Sequence, residues 1–467
     1  MLMSSVSTGV TFTGRGGNSY SAPATGLFIQ SCDVALALAN GWVQSELDST
    51  PGTSSSTIIT GLPKVVRNAQ SVWKGGVPIA NEAAWPDGSW TLVYGQNSRK
   101  RYIAVRSCGF VRLVYAAAGG LNDGIPTAPF TIRASLEPTN GATRIQFTFN
   151  GRLEGIVQPG GILVSDPVSS QIAAGQQFWV WTYGSSPNQF YYSPIFATQV
   201  AWGEGCDAAN NAASSDKTPG TTTLTANNVS HFSPIAVIGD AGIGYPFVGH
   251  FGDSIGAGLG DYDNISNLGR GFLRRAMGNA IPFINLCVSG DLIANSHYIR
   301  YGLYNGCTDV ITHMGINDLV GGASLSTMQT NMVAEWQALG AFGARVWQCT
   351  ITPKTSSTDT WATTVNQTPF AGDSVRQAVN NWIRAGSPLN PSTLAAVAIG
   401  TAGALLAGST GHPLTGYFET ADAVETSRNS GIWKVGYVYT TDGLGIHPNS
   451  EGSALLASAI NTTGFLP

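Results

Sequence analysis

Between about residues 206 and 230 the sequence changes character, and that change limits what the chain can fold into. The run CDAANNAASSDKTPGTTTLTANNVS contains almost no large apolar residue and reads as a linker or long surface loop. Ahead of it, short alternating or β-branched runs at 91–94, 102–105, 111–116, 144–150 and 177–182 are separated by turn clusters such as PTNGAT at 138–143. That pattern predicts an all-β sandwich. Behind it, apolar runs at 247–251, 282–288, 310–314, 345–351 and 417–424 are each followed by a segment with helical patterning. Apolar strands joined by helical crossovers predict a parallel sheet covered on both faces, a doubly wound α/β domain.

At 467 residues the chain is long enough for two or three domains. The expected boundaries are a small N-terminal module at 1–50, a β-sandwich-like accessory domain at 51–235 and an α/β domain at 236–467. Charged residues make up only 11%, and the net charge is −4, so there is no basic stripe of the kind a nucleic acid partner requires. A membrane is not expected either. The most apolar stretch, 394–407, is interrupted by Gly400, Thr401 and Gly403, falls short of the roughly 20 residues that span a bilayer, and reads as an Ala-rich buried segment. The N-terminus lacks the basic and apolar regions of a secretory signal, which leaves the location open. The six cysteines (Cys32, Cys108, Cys206, Cys287, Cys307 and Cys349) form no CxxC pair and no zinc spacing, so buried free thiols are expected and no metal is.

The strand at 247–251 runs into Gly252-Asp253-Ser254-Ile255, placing a serine at the carboxyl edge of a parallel sheet, where active sites of open α/β sheets gather. A serine hydroxyl needs a base and an oxyanion site to act as a nucleophile at neutral pH. A histidine follows in Asp442-Gly443-Leu444-Gly445-Ile446-His447-Pro448-Asn449, just before the helical pattern at 450–460. Two further strand ends supply donors: the backbone N–H of Gly290 in NLCVSG and the side-chain amide of Asn317 in Gly315-Ile316-Asn317-Asp318. With the Ser254 N–H these make three neutral donors for a developing oxyanion.

Several other features have simpler explanations. GDSIG at 252–256 also fits the nucleophile elbow of α/β-hydrolases, but that fold places several strands ahead of the elbow and separates acid from histidine. A second GDS at 372–374 precedes the helical VRQAVNNWIR, so Asp373 or Ser374 is expected to be an N-cap. The glycines at 256, 258 and 260 lack dinucleotide spacing and a Walker lysine. His250 and His313 are expected as hydrogen-bonded core or subsite histidines, and Asp253 and Asp318 as acceptors for turn amides. Trp336, Trp347, Trp361, Trp382 and Trp433 are expected mostly in the core, with one or two available to stack on a sugar.

The order Gly-Asp-Ser, then Gly, then Gly-x-Asn-Asp, then Asp and His resembles the SGNH (GDSL-type) hydrolase family over roughly residues 245–465. The four name-giving residues map onto Ser254, Gly290, Asn317 and His447. The resemblance implies a three-layer α/β/α flavodoxin-like domain, a covalent serine esterase mechanism and no cofactor. In one respect the chain departs from the family, which places its acid three residues before the histidine: that position is Leu444, and Asp442 lies five before. Either a glycine-rich turn brings Asp442 to His447, or a Ser–His dyad uses a backbone carbonyl to orient the ring. The run at 143–168 resembles the β-rich, jelly-roll-like accessory region of some SGNH hydrolases, and FTGRGGNSYSAP resembles short N-terminal modules of phage tail proteins. The resemblance implies ester substrates, and an acetyl ester on a carbohydrate is expected, on a small molecule or a polysaccharide. A phage origin would make the protein virion-associated or extracellular, and a homo-oligomer is compatible with it. The competing class is a glycan-binding or structural virion protein with a non-catalytic hydrolase-like domain.

Overall fold

The computed structural model describes residues 77–86, 95–126, 128–186, 200–207, 215–221, 224, 232–240, 247–261, 271–295 and 297–465, and backbone strands alone at 2–5, 11–13, 19–21, 27–28 and 42–44. The expected strand at 91–94, Cys32 and most of the linker run lie outside them. So do the side chains of the N-terminal module, whose strand Leu2–Ser5 pairs antiparallel with Leu27–Phe28 and Trp42–Gln44.

Two antiparallel sheets follow. One is built on β1 (Gln96–Ile103), β3 (Phe130–Glu137) and β4 (Gln177–Ser185), in the order β3-β4-β1. The other pairs β2 (Cys108–Ala116) with β5 (Ala236–Gly239). The sheets share one core, in which Tyr102, Ile132, Leu136, Phe178 and Val180 of the first meet Val111, Leu113, Tyr115 and Val237 of the second. Because side chains alternate along a strand, the other face of β2 and β5 is presented by Val114, Ala116, Ala236 and Ile238. Those residues join the core of the α/β region, so the second sheet is buried on both sides. Residue 236, expected to open the α/β domain, therefore sits in the antiparallel sheet, and the parallel sheet is first entered at Val248.

The parallel sheet contains β6 (Val248–Phe251), β7 (Phe283–Asn285), β8 (Asp309–Thr312), β9 (Arg345–Cys349) and β10 (Gly416–Phe418). Its order is β7-β6-β8-β9-β10, all parallel. This is the flavodoxin-like arrangement, whose strand order reverses between β6 and β8 and opens a crevice at the carboxyl edge there. The strands β6, β7 and β8 are buried at every residue, as both-face coverage by helices requires. The covering helices include α2 (Phe272–Met277), which packs on α8 (Ser450–Ser458), and α5 (Leu325–Leu339), which packs on α6 (Asp373–Arg384). In α5 the buried Met328, Met332, Glu335, Trp336 and Leu339 recur at the three- and four-residue spacing of one helix face, and Ser324 caps its first turn through Thr327 N–H. The free edge of β7 is covered by the segment 77–86, where Ala84 bridges to Asn285 and the Asn81 amide binds the carbonyls of Gly278 and Ile281.

Three local expectations are corrected. The run 417–424 divides into the short strand β10 and helix α7 (Thr420–Val424). Neither Asp373 nor Ser374 is the N-cap of α6: Gly372 takes that position, and the Asp373 carboxylate binds the guanidinium of Arg376 at 2.6 Å within the first turn. The apolar segment 394–407 is not buried, since it forms surface turns with Ile399 56% exposed. Its glycines break any long helix or strand that could present a single face to the core. The described cysteines are free and buried. Among the described residues no helix is long and apolar enough to cross a membrane.

Glu335 on α5 is buried against Thr312 at the end of β8, whose hydroxyl donates to Oε1 at 2.7 Å. Burial raises its carboxyl from the ordinary 4.5 to about 8, so the native state keeps a proton that the unfolded chain loses. Stability should therefore fall as pH rises from 4.5 to 8, by on the order of 4 kcal/mol. Glu335→Gln is expected to raise Tm at pH 8 and leave it unchanged at pH 4.5, measured by calorimetry at both pH values.

Candidate active site

Helix α1 (Ser254–Ala257) starts where β6 ends. Asp253 caps it, its Oδ1 accepting from Ile255 N–H at 2.9 Å, and this places Ser254 at the first helical position, 5% exposed. Two glycines make this turn feasible. A Cβ at Gly252 or Gly256 would overlap the His313 ring, which packs directly beneath the turn. Below α1, His313 Nε2 lies 3.0 Å from Asp253 Oδ1 and 3.1 Å from Gly256 N, and its Nδ1 lies 3.0 Å from His250 Nε2. Burial, with His313 adding in the same direction, pushes His250 well below the usual histidine range and keeps it neutral. The two histidines are hydrogen-bonded core residues, and Asp253 accepts from the single turn amide of Ile255 and contacts the His313 ring.

Ser254 Oγ lies 2.7 Å from His447 Nε2, and His447 Nδ1 lies 2.5 Å from Asp442 Oδ2. The five-residue spacing of Asp442 and His447 is accommodated by an Asx-type turn in which Asp442 Oδ1 accepts from Leu444 N–H at 2.9 Å. Gly443 and Gly445 take φ of +67° and +60°, the left-handed conformation that glycine adopts without cost. The loop is closed at its base by the bridge between Val438 and Pro448, with Tyr439 N–H donating to the His447 carbonyl at 2.8 Å. Leu444, at the position where the resemblance would put the acid, is 50% exposed. Beyond His447, the Asn449 side chain caps α8 through Gly452 N–H at 2.9 Å, which anchors the far end of the loop.

The other two residues approach the same edge from β7 and β8. Gly290 is exposed with φ +75°, and a Cβ there would meet nothing. Asn317 lies in helix α4 (Ile316–Val320), and its Nδ2 donates one hydrogen to the Asp291 carbonyl at 3.1 Å, leaving the second for an incoming group. The N–H groups of Ser254 and Gly290 find no acceptor among the described residues. A hydroxyl, an imidazole and a carboxylate thus lie in one hydrogen-bonded line, with unspent N–H donors at neighbouring strand ends. That arrangement can deprotonate the hydroxyl and receive negative charge on a carbonyl oxygen.

No family model and no curated protein matches the chain. Solved structures similar to it include a GDSL-like lipase from Bacteroides thetaiotaomicron, at 14% identity and TM-score 0.31 over 46% of this chain and 85% of that one. A protein from Bacillus subtilis matches at 11% identity and TM-score 0.31 over 77% and 78% of the two chains. A salicylyl-acyltransferase from a tetracycline biosynthetic pathway matches at 12% and 0.29 over 78% and 79%. The chemistry rests on the geometry of this chain.

Further groups surround the site, among them Asp291, Arg300 and His297, which sequence reasoning did not single out. Asp291, next to Gly290, pairs with Arg300 of α3 (Tyr298–Leu303) at 2.8 Å and with His297 Nε2 at 3.2 Å. Burial alone would raise its carboxyl, but Arg300 and His297 outweigh burial and hold it at about 2. Asp318 on α4 accepts from Ile293 N–H, and burial raises it to about 6. His250, Cys287 and His313 bring atoms able to hold a metal within 4.8 Å of one another, a grouping that no spacing in the sequence announces. A Cβ at Gly256 would collide with all three, so the Gly256 backbone fills the space between them. Of the tryptophans, Trp336, Trp361, Trp382 and Trp433 are buried, and the half-buried Trp347 stacks on Phe418.

Proposed function

We propose that this chain is a serine esterase that hydrolyses short acyl esters through an acyl-serine intermediate. The observation that carries the reading is the continuous line Asp442–His447–Ser254 at the carboxyl edge of a parallel sheet. His447 Nε2 takes the proton as Ser254 Oγ attacks the ester carbonyl, and Asp442 holds Nδ1–H and stabilises the imidazolium. The N–H groups of Ser254 and Gly290 and the Asn317 amide face the developing oxyanion. His447 then protonates the leaving alcohol, and a water activated by the same imidazole releases the acid. The residues involved need no metal or organic cofactor for these steps.

We favour acetyl esters of carbohydrate as substrates. A surface rich in hydroxyls and amides and low in charge supports a glycan over a lipid interface, and the β-rich region at 77–239 supports a polymeric substrate that must be held. The test is hydrolysis of p-nitrophenyl acetate through laurate, together with mass spectrometry after treatment with a fluorophosphonate. Turnover of the short esters and a single adduct on Ser254 are expected. No turnover of any ester and no adduct would reject the reading and favour a glycan-binding role. For Asn317→Ala, kcat on the best ester should drop about 100- to 1000-fold, as when one oxyanion donor is removed, with KM little changed.

A further inference from the structure

The antiparallel region reaches into the catalytic edge through one buried carboxylate. After β2 the chain makes a tight loop, closed by the bridge between Gly119 and Gly124, in which Asn122 and Asp123 both take left-handed backbone angles, φ 58° and 47°. Asn and Asp are among the few non-glycine residues that accept this conformation, and here it turns the Asp123 side chain toward α3. The carboxylate is 4% exposed. Its Oδ2 accepts from the N–H groups of Ile299 and Arg300 at 2.7 and 3.2 Å, capping a helix whose own N-cap, His297, offers no side-chain bond. Its Oδ1 accepts from Arg300 Nε at 2.7 Å.

Arg300 carries this contact onward. Its guanidinium donates to the Leu286 carbonyl at 3.1 Å, pairs with Asp291 at 2.8 Å, and lies 5.3 Å from the ring centre of Phe251, three residues before Ser254. The segment between Leu286 and Asp291 contains Gly290, and the Asp291 carbonyl receives the Asn317 amide. Both proposed oxyanion donors outside α1 are therefore tied to a single arginine, which is itself held by a residue of the β-rich region.

We propose that Asp123 is a positioning residue for the reaction: through Arg300 it sets the 286–291 loop and Asn317 in the geometry that receives the oxyanion, so the β-rich region completes the catalytic site. The proposal rests on the esterase reading, and one of its two measurements does not depend on that reading. A misplaced loop should lower the rate of the chemical step and leave ground-state binding of a small ester largely intact.

The experiment compares the full chain with Asp123→Asn, Asp123→Ala and, as a control in the same region, Asp240→Asn. Asp240 accepts from the N–H groups of Gly109 and Phe110, at the start of β2 and away from α3. The Asn variant keeps one oxygen to cap the N–H groups of Ile299 and Arg300 and turns an NH2 donor toward Arg300 Nε, so it loses both the charge and the hydrogen bond to Arg300 while retaining the cap, and it should fold even if the Ala variant does not. With p-nitrophenyl acetate, Asp123→Asn should show kcat about tenfold lower with KM within about twofold, a loss in the range expected when a distant change misplaces catalytic groups. By hydrogen exchange and mass spectrometry, peptides covering 286–295 should exchange several-fold faster in this variant, with other regions unchanged and no change in the control. Unchanged kcat and unchanged exchange at 286–295 would overturn the proposal, as would faster exchange spread evenly through the protein, which would mean that Asp123 only supports the fold. If the wild-type chain hydrolyses no ester, the esterase reading fails, and the exchange measurement still decides whether Asp123 holds the loop.

Discussion

Ser254→Ala is expected to lower kcat for short-ester hydrolysis about a millionfold, to a residue set by the donors and by binding alone. The hydroxyl is 2.7 Å from His447 Nε2 and takes the first helical position after β6, so its loss removes the bond-forming atom while the capping by Asp253 persists. Tm should stay close to that of the wild type, because one buried oxygen is deleted at a site whose packing is carried by the backbone of Gly252 and Gly256 against His313. Initial rates with p-nitrophenyl acetate and loss of the fluorophosphonate adduct measure the effect. A variant with wild-type rate would place the chemistry elsewhere.

Asp442→Asn should lower kcat about ten thousandfold, since an amide at this position can stabilise the wrong imidazole tautomer and cannot offset the imidazolium charge. The contact it replaces is short, 2.5 Å, and comes from a carboxylate already fixed by the Leu444 N–H. A Ser–His dyad relying on a backbone carbonyl would instead tolerate the change with a small loss, so the same kinetic measurement separates the two arrangements left open by the spacing. Leu444→Asp is a useful companion: it restores an acid three residues before His447, but on a side chain that is 50% exposed, and no rescue of Asp442→Asn is expected.

The strands and helices around the site were legible because their patterns are local. Apolar runs ending in Gly-Asp-Ser, Val-Ser-Gly and Gly-Ile-Asn-Asp lie at β6, β7 and β8 within a few residues of where they were expected. The helix after His447 was legible for the same reason, from the helical pattern at 450–460, and the structure adds Asn449 as its cap. Errors arose where local pattern competes with context. The segment 394–407 is apolar in composition, yet its glycines produce exposed turns. Residues 417–424 supply apolar side chains to a short strand and then to a helix, and a continuous apolar run does not separate the two.

What the linear chain determined for itself is the doubly wound α/β architecture and the order of its chemistry-bearing strand ends, because hydrophobic period and turn residues act over a few positions. Tertiary structure decided the rest. Whether Asp442 reaches His447 depended on two left-handed glycines and a loop closed by Val438 and Pro448. That β2 and β5 are buried on both faces, joining the two regions through a shared core, depended on which sheet met which. The network of Asp123, Arg300 and Asp291 joins residues 177 positions apart, a distance over which no periodicity in sequence carries information, and it exists only because folding removes these charges from water together.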